Sequence, residues 1–142
     1  MRIAVDTNVL VDAIADQDET QVCQKLLIYA AERKYTGVIS ANTVTDLHYI
    51  LRKYIGDKRT RSALADLMTI FEVSPITGSI CMTALGTNMK DFEDAVFAVS
   101  ASEYGVDYIA TNDKKFITEK GSPVPVLKAA DILKSIENES MN

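Results

Sequence analysis

The chain has 142 residues, 47% hydrophobic and 25% charged, with six glycines and three prolines, a composition that excludes fibrous and disordered classes. At that length a single domain buries roughly 68–70% of its unfolded surface and needs no disulfide or metal to hold a core. The net charge of −5 and pI near 4.8 argue against a protein that grips nucleic acid through its overall charge, so any polyanionic partner must be met by a local feature.

The opening residues lack the apolar h-region and cleavage site of a signal peptide, and no apolar stretch approaches 18 residues. A cytoplasmic protein with no membrane partner is expected. Cys23 and Cys81 lie far apart in helix-like segments and read as two buried thiols, not as a disulfide or zinc knuckle.

Short β-rich runs alternate with helical ones, the pattern of an α/β domain built on a parallel sheet. Residues 2–5 predict the first strand and 9–15 a short helix. Residues 18–34, "DETQVCQKLLIYAAERK", carry Val22, Leu26, Leu27, Ala30 and Ala31 at helical spacing, with acids in the first turn and Arg33 and Lys34 in the last. "TGVIS", 36–40, is a second strand, and 42–55 a helix stopped by Gly56. Asp57 is a candidate N-cap for a helix running to about 71, with Leu64, Leu67, Met68 and Phe71 as its apolar stripe. "FEVSPI" gives a third strand, 77–85 a short helix, and 91–104 a helix closed by Gly105 at C′. "DYIAT", 107–111, is a fourth strand, 124–127 a fifth, and 129–136 the last helix. One domain, 1–136, and a frayed tail, 137–142, are expected. The fold class is α/β, a three-layer α/β/α sandwich with a central parallel sheet of four to five strands.

In an open parallel sheet, ligands bind beyond the carboxyl ends of the strands, where strand order reverses. Two acids fall at such ends: Asp6 after strand one and Asp113 after "YIAT". Asp46, in "SANTVTDLHYIL", is the only acid between Glu32 and Asp57 and sits early in the helix after strand two. In "DFEDAVFAVSA" the buried face is Phe92, Ala95, Val96 and Val99, while Asp91 and Asp94 share an adjacent face, with Asp94 at the core margin. Each acid also has an ordinary reading: Asp6 and Asp91 as helix N-cap or first-turn residues, Asp46 as a solvated helix residue, Asp113 as an Asx-turn residue. Asp12 is expected to face solvent.

Two carboxylates about 4 Å apart repel by roughly 4 kcal/mol at an effective dielectric of 20, so several on one rim require a cation or protons. An all-oxygen site selects Mg²⁺ or Mn²⁺ over zinc. The sole histidine, His48, is two residues from Asp46, so it points away from it and reads as structural.

"VDTNVLVD", the mid-chain acid, "DFEDAV" and "IATNDKKF", in that order, resemble the PIN domain family, in particular its small prokaryotic members described as toxin components of toxin–antitoxin pairs. The resemblance runs from Ile3 to about Leu133. It implies a doubly wound parallel sheet and an endoribonuclease using one or two Mg²⁺ or Mn²⁺ ions and leaving 5′-phosphate and 3′-hydroxyl ends. It further implies metal-binding and catalytic roles for Asp6, Asp46, Asp94 and Asp113, with Asp91 an extra acid at the metal and Thr7, Asn8 and Thr111 in support. RNA, an antitoxin protein and a second copy in a homodimer are the implied partners. The family commonly carries Glu at the mid-chain position, and Asp46 is one methylene shorter.

Cations for the RNA backbone are offered by "LRKYIGDKRTR", with Arg52, Lys53, Lys58, Arg59 and Arg61, and by Lys114 and Lys115 beside Asp113. The basic stretch also reads as a solvated helix end. Two other functions stay open on sequence: a catalytically weak or inactive PIN-like RNA-binding module, and an aspartyl-phosphate phosphatase. The latter wants a second Asp two residues after the first, where this chain has Asn8.

Overall fold

The computed structural model describes residues 1–15, 17 and 20–140. The chain runs β1 (Arg2–Val5), α1 (Thr7–Ile14), α2 (Val22–Ala31), β2 (Thr36–Ser40), α3 (Ala41–Ile55), α4 (Asp57–Ile70), β3 (Glu72–Ser74), α5 (Gly78–Leu85), α6 (Phe92–Glu103), β4 (Tyr108–Thr111), α7 (Lys114–Ile117), β5 (Val126–Lys128) and α8 (Ala129–Ser140). The five strands form one parallel sheet in the order β3-β2-β1-β4-β5.

Alternation along the central strands sorts the core onto two faces. Ile3, Val5, Ile39 and Ala110 pack with Leu26, Leu47, Leu51, Leu64 and Ile132, under α2, α3, α4 and α8. Ala4, Val38 and Ile109 point the other way, onto Ile80, Ala95, Val99 and Phe116. The three-layer sandwich follows from strands that are apolar on both sides. Gly37 faces the first layer, where a Cβ would come within 2.5 Å of the Phe71 ring; this close approach of ring to backbone requires glycine.

The order reverses at β1, which pairs β2 on one side and β4 on the other. Val5 is in register with Ala110, and the Asp6 N–H donates to the Ala110 carbonyl at 3.0 Å, so the ladder reaches one residue past the strand. Asp6 therefore emerges beside Thr111 at the switch point.

Several elements depart from the sequence expectations. Within the described residues α2 starts at Val22, and the acids at 18 and 19 expected in its first turn lie outside them. It ends before Arg33 and Lys34: Arg33 turns left-handed at φ 60° and the chain closes a Schellman motif, with Arg33 N–H on the Ala30 carbonyl and Lys34 N–H on that of Tyr29. The freed Arg33 guanidinium donates to the Thr69 and Ile70 carbonyls at the end of α4, at 2.9 and 2.7 Å. Asp57 is the first residue of α4 and not its cap; that place is Gly56, at φ 82°. The Asp57 carboxylate is taken instead by His48, at 2.7 Å, and by Arg61, at 3.0 Å. The single turn α7 was not anticipated, because four residues are too few to show a helical period. The last helix continues to residue 140; residues 137–139 are exposed and add no core to the Ile132, Leu133 and Ile136 anchor, and 141 and 142 of the expected tail lie outside the described residues. Cys23 is buried as expected, whereas Cys81 is half-buried. Among the described residues no helix is long and apolar enough to cross a membrane.

Candidate active site

The chain leaves β1 with an extended Asp6 that also caps α1. Its Oδ1 accepts the Thr7 N–H at 2.9 Å, and its Oδ2 accepts the Thr111 hydroxyl at 2.8 Å and the Asn8 amide at 3.0 Å. Asn8 in turn accepts the Asn112 N–H at 3.0 Å, and Thr111 Oγ1 accepts the Asp113 N–H at 3.1 Å. The β1–α1 and β4–α7 junctions are thereby tied together through Asp6. The Thr7 hydroxyl continues the network to Thr43 at 3.2 Å, and Thr43 to Ser40, the N-cap of α3. Three strand ends are thus braced by small polar side chains, Thr7, Asn8 and Thr111 among them.

Around this brace lie two spaces that share Asp94 in their linings. The inner is a pocket of about 20 Å³, lined by Asp6, Ser40, Asn42, Thr43, Asp46, Glu93, Asp94 and Phe97. The outer is a cleft of about 830 Å³, lined by Asn88, Lys90, Asp91, Asp94, Asp113, Lys115, Thr118, Glu119 and Lys120. Asp94, in the first turn of α6, belongs to both.

The electrostatics match the crowding. Burial pushes the Asp94 carboxyl up to about 7, helped by the charges of Asp91, Asp6, Asp113 and Glu93. Burial also raises Asp6, against the lowering effect of its bonds from Thr111, Thr7 and Asn8, and the charge of Asp113 adds to the rise. Asp46 is raised by burial alone.

These residues suit a hard divalent cation. The functional groups lining the inner pocket are carboxylates, hydroxyls and an amide, with no nitrogen or sulfur ligand of the zinc type, and its volume is that of a single water or ion. Among the described residues no group of three or more His, Cys, Asp or Glu converges closely enough to enclose an ion.

The structure brings Asp6, Asp46 and Asp94 onto the inner pocket, and Asp91, Asp94 and Asp113 onto the outer cleft. Asp91 is committed to capping α6, its Oδ1 accepting the Asp94 N–H at 3.0 Å, and Asp113 caps α7 through the Lys115 N–H at 2.9 Å. The basic stretch lies elsewhere: Arg52 and Lys53 sit in the last turn of α3, roughly 9 Å or more along the axis from Asp46, and stack on Tyr49 at 5.0 and 4.5 Å. Lys58 and Arg59 follow in the first turn of α4, and none of the four lines either space. Lys115 lines the outer cleft, while Lys114 lines a separate apolar recess with Ile117, Leu127 and Lys128. Asp12 is not simply solvated: it accepts the Asn112 amide at 3.1 Å, an amide that also reaches Cys23 Sγ at 3.2 Å.

Sequence reasoning passed over Glu93, Lys90, Glu119 and Lys120. Glu93 lies inside "DFEDAV", between Asp91 and Asp94. Lys90 adjoins Asp91, but Lys120 reaches the cleft only because the segment after α7 folds back over the start of α6.

The profile of the PIN domain family matches residues 2–115, from the start of β1 into α7. The chain belongs to the PIN domain family. The matched span carries every acid of the two spaces except Glu119. Among PIN-related proteins, ribonuclease VapC1 of Aquifex aeolicus (strain VF5) is 30% identical over 124 residues, covering 81% of this chain and 83% of that protein. The same fold is found in the VapBC2 complex of Rickettsia felis bound to a promoter DNA fragment, with a TM-score of 0.68 and 18% identity over 90% of this chain and 98% of that one. A toxin–antitoxin complex from Klebsiella pneumoniae gives a TM-score of 0.65 and 20% identity, over 89% and 97%. VapC20 of Mycobacterium tuberculosis, a toxin that cleaves the sarcin-ricin loop, gives 0.61 and 17%, over 80% and 92%. The last three likenesses establish the PIN fold.

Proposed function

We propose that this PIN domain is a cytoplasmic, metal-dependent endoribonuclease that hydrolyses RNA phosphodiester bonds as the toxin component of a toxin–antitoxin pair. The observation that carries the reading is the placement of Asp6 at the β1/β4 switch point, locked by Thr111 and Asn8, with Asp46, Asp94 and Asp113 around it.

Asp6 and Asp94 would hold one Mg²⁺ or Mn²⁺, with Asp46 closing the inner side and Asp113 the outer; a bound ion of this kind supplies a neutral-pH water nucleophile and charge for the phosphate oxygens. The chain's own groups do the positioning. Thr111 and Asn8 fix both the direction and the ionisation of Asp6, because each hydrogen bond to Oδ2 favours the carboxylate that burial disfavours. Asp94 would have to give up its proton to hold a cation, so cation affinity is expected to rise with pH toward about 7. Asp91 and Asp113, by capping α6 and α7, set the helix starts on which Asp94 and Lys115 stand.

The relatives support a protein partner as well. The Klebsiella pneumoniae structure is a toxin–antitoxin complex, and an antitoxin that covers the acid-lined spaces would silence this chain. A homodimer is part of the same proposal. The reading is tested by incubating the purified protein with a structured RNA in Mg²⁺, in Mn²⁺ and in EDTA, and typing the product ends. Cleavage in either ion, absent in EDTA, with 5′-phosphate ends supports it. EDTA-resistant cleavage, or none in any ion, refutes it.

A further inference from the structure

The outer cleft carries three lysines and four acids, yet the seven do not pair with one another. Among the described residues the ion pairs are Arg2–Glu72, Lys34–Glu32, His48–Asp57 and Arg61–Asp57, and none involves the cleft. The cleft's acids have other partners or duties. Asp91 accepts the Asp94 N–H, and Asp113 accepts the Lys115 N–H. Glu119 accepts the backbone N–H groups of Lys90 at 3.0 Å and Asp91 at 3.4 Å, pinning the segment before α6 to the segment after α7. Asp94 faces the inner pocket as well.

Lys90, Lys115 and Lys120 are thus exposed ammonium groups in one concave space, held on backbone that Glu119, Asp91 and Asp113 fix in place. Three exposed cations that make no ion pair among the described residues, in a cleft that also presents Asp94 and Asp113, are suited to successive phosphates of a polyanion. At about 830 Å³ the space falls in the range of ligand clefts, roughly 300–1,000 Å³, room for a short run of single strand.

We propose that this cleft seats single-stranded RNA, with Lys90, Lys115 and Lys120 binding the phosphates that flank the one presented to Asp94 and Asp6. The inference rests on the ribonuclease reading and gives its site a substrate track on the side opposite the basic stretch of α3 and α4. Lys90 and Lys120 are the positions that distinguish it.

The test is fluorescence anisotropy with a labelled 12-nucleotide single-stranded RNA, in Ca²⁺ buffer over a series of salt concentrations, with gels confirming intact RNA. The proteins are the wild type, the double variant Lys90→Gln/Lys120→Gln, and Lys134→Gln on the exposed face of α8 as a charge control, all checked by thermal melts. The double variant is expected to bind at least ~10-fold more weakly, and the slope of log affinity against log salt to be shallower by about 1.4, close to 0.7 per lost phosphate contact on a single strand. Lys134→Gln is expected to match the wild type. The proposal is overturned if the double variant binds as the wild type does, if Lys134→Gln alone weakens binding as much, or if the wild type binds no RNA. Wild-type cleavage untouched by the lysine changes would leave the ribonuclease reading standing and remove the track. RNA binding that depends on the lysines, without cleavage in Mg²⁺ or Mn²⁺, would do the reverse.

Discussion

Replacing Asp94 by Asn is expected to stabilise the metal-free protein above neutral pH. In the folded state the carboxyl titrates at about 7, raised first by burial and then by Asp91, Asp6, Asp113 and Glu93, against an ordinary value of 3.8. A raised carboxyl means that the folded state holds its proton more tightly than the unfolded chain does. Below about pH 4 both states are protonated and the site costs nothing. Stability is then lost as pH rises from about 4 to about 7, and the full penalty persists above. Three units correspond to about 4 kcal/mol, and because the carboxyl is partly open to water, screening reduces this to ~1–2 kcal/mol. In a chain of this size each kcal/mol moves the melting temperature by about 2–4 °C. Asn has the same shape and no charge, so in EDTA at pH 8 the variant is expected to melt ~3–6 °C above the wild type, with the gap closing as pH falls toward about 4. The comparison cancels Asp57 and Glu72, whose lowered values act identically in both proteins. Saturating Mg²⁺ or Mn²⁺ is expected to reverse the order at pH 8, since only the wild type retains the full carboxylate set. Equal melting temperatures at both pH values, or a variant less stable in EDTA at pH 8, would refute the claim that Asp94 is destabilised by its neighbours.

Other consequences are as direct. Thr111→Val removes the hydroxyl that donates to Asp6 and accepts from Asp113, and should lower metal affinity by about 10–100-fold in calorimetric titration while the fold survives. Gly37→Ala drives a methyl into the Phe71 ring and should cost ~1–3 kcal/mol by urea denaturation, with Phe71→Leu in the same chain recovering part of the loss. Asp57→Asn breaks the His48 and Arg61 contacts on the outside of α3 and α4; RNA cleavage should be unchanged, and a large loss would show that His48 has work at the site.

The elements that set the site were legible because they depend on local pattern. Ile3 to Val5 are buried on both faces and can be little else than a central strand, so Asp6 had to lie at its carboxyl end. Asp94 sits one position from the buried Ala95 on a helix whose period is plain, which placed it at the core margin. Contacts between segments distant in the chain were not legible. Asp57 has the composition of an N-cap, but Gly56 takes that place and His48, nine residues earlier, takes the carboxylate. Asp12 has the local pattern of a solvated helix acid, but Asn112, 100 residues away, donates its amide to it. The same holds for charge: five cations in residues 51–61 are conspicuous in sequence, yet they stand on the end of α3 and the start of α4 and line neither space, while Lys90 and Lys120, far apart in the chain, meet at the cleft.

The measurement that bears most directly on the central claim is RNA cleavage by the wild type and Asp6→Asn, side by side, with Mg²⁺ or Mn²⁺ titrated in from EDTA. Metal-dependent cleavage by the wild type, lost in Asp6→Asn together with the thermal stabilisation by metal, is the predicted result. Cleavage that survives in Asp6→Asn at the same metal dependence would contradict the account, because the carboxylate locked at the β1/β4 switch point would then have no part in the chemistry.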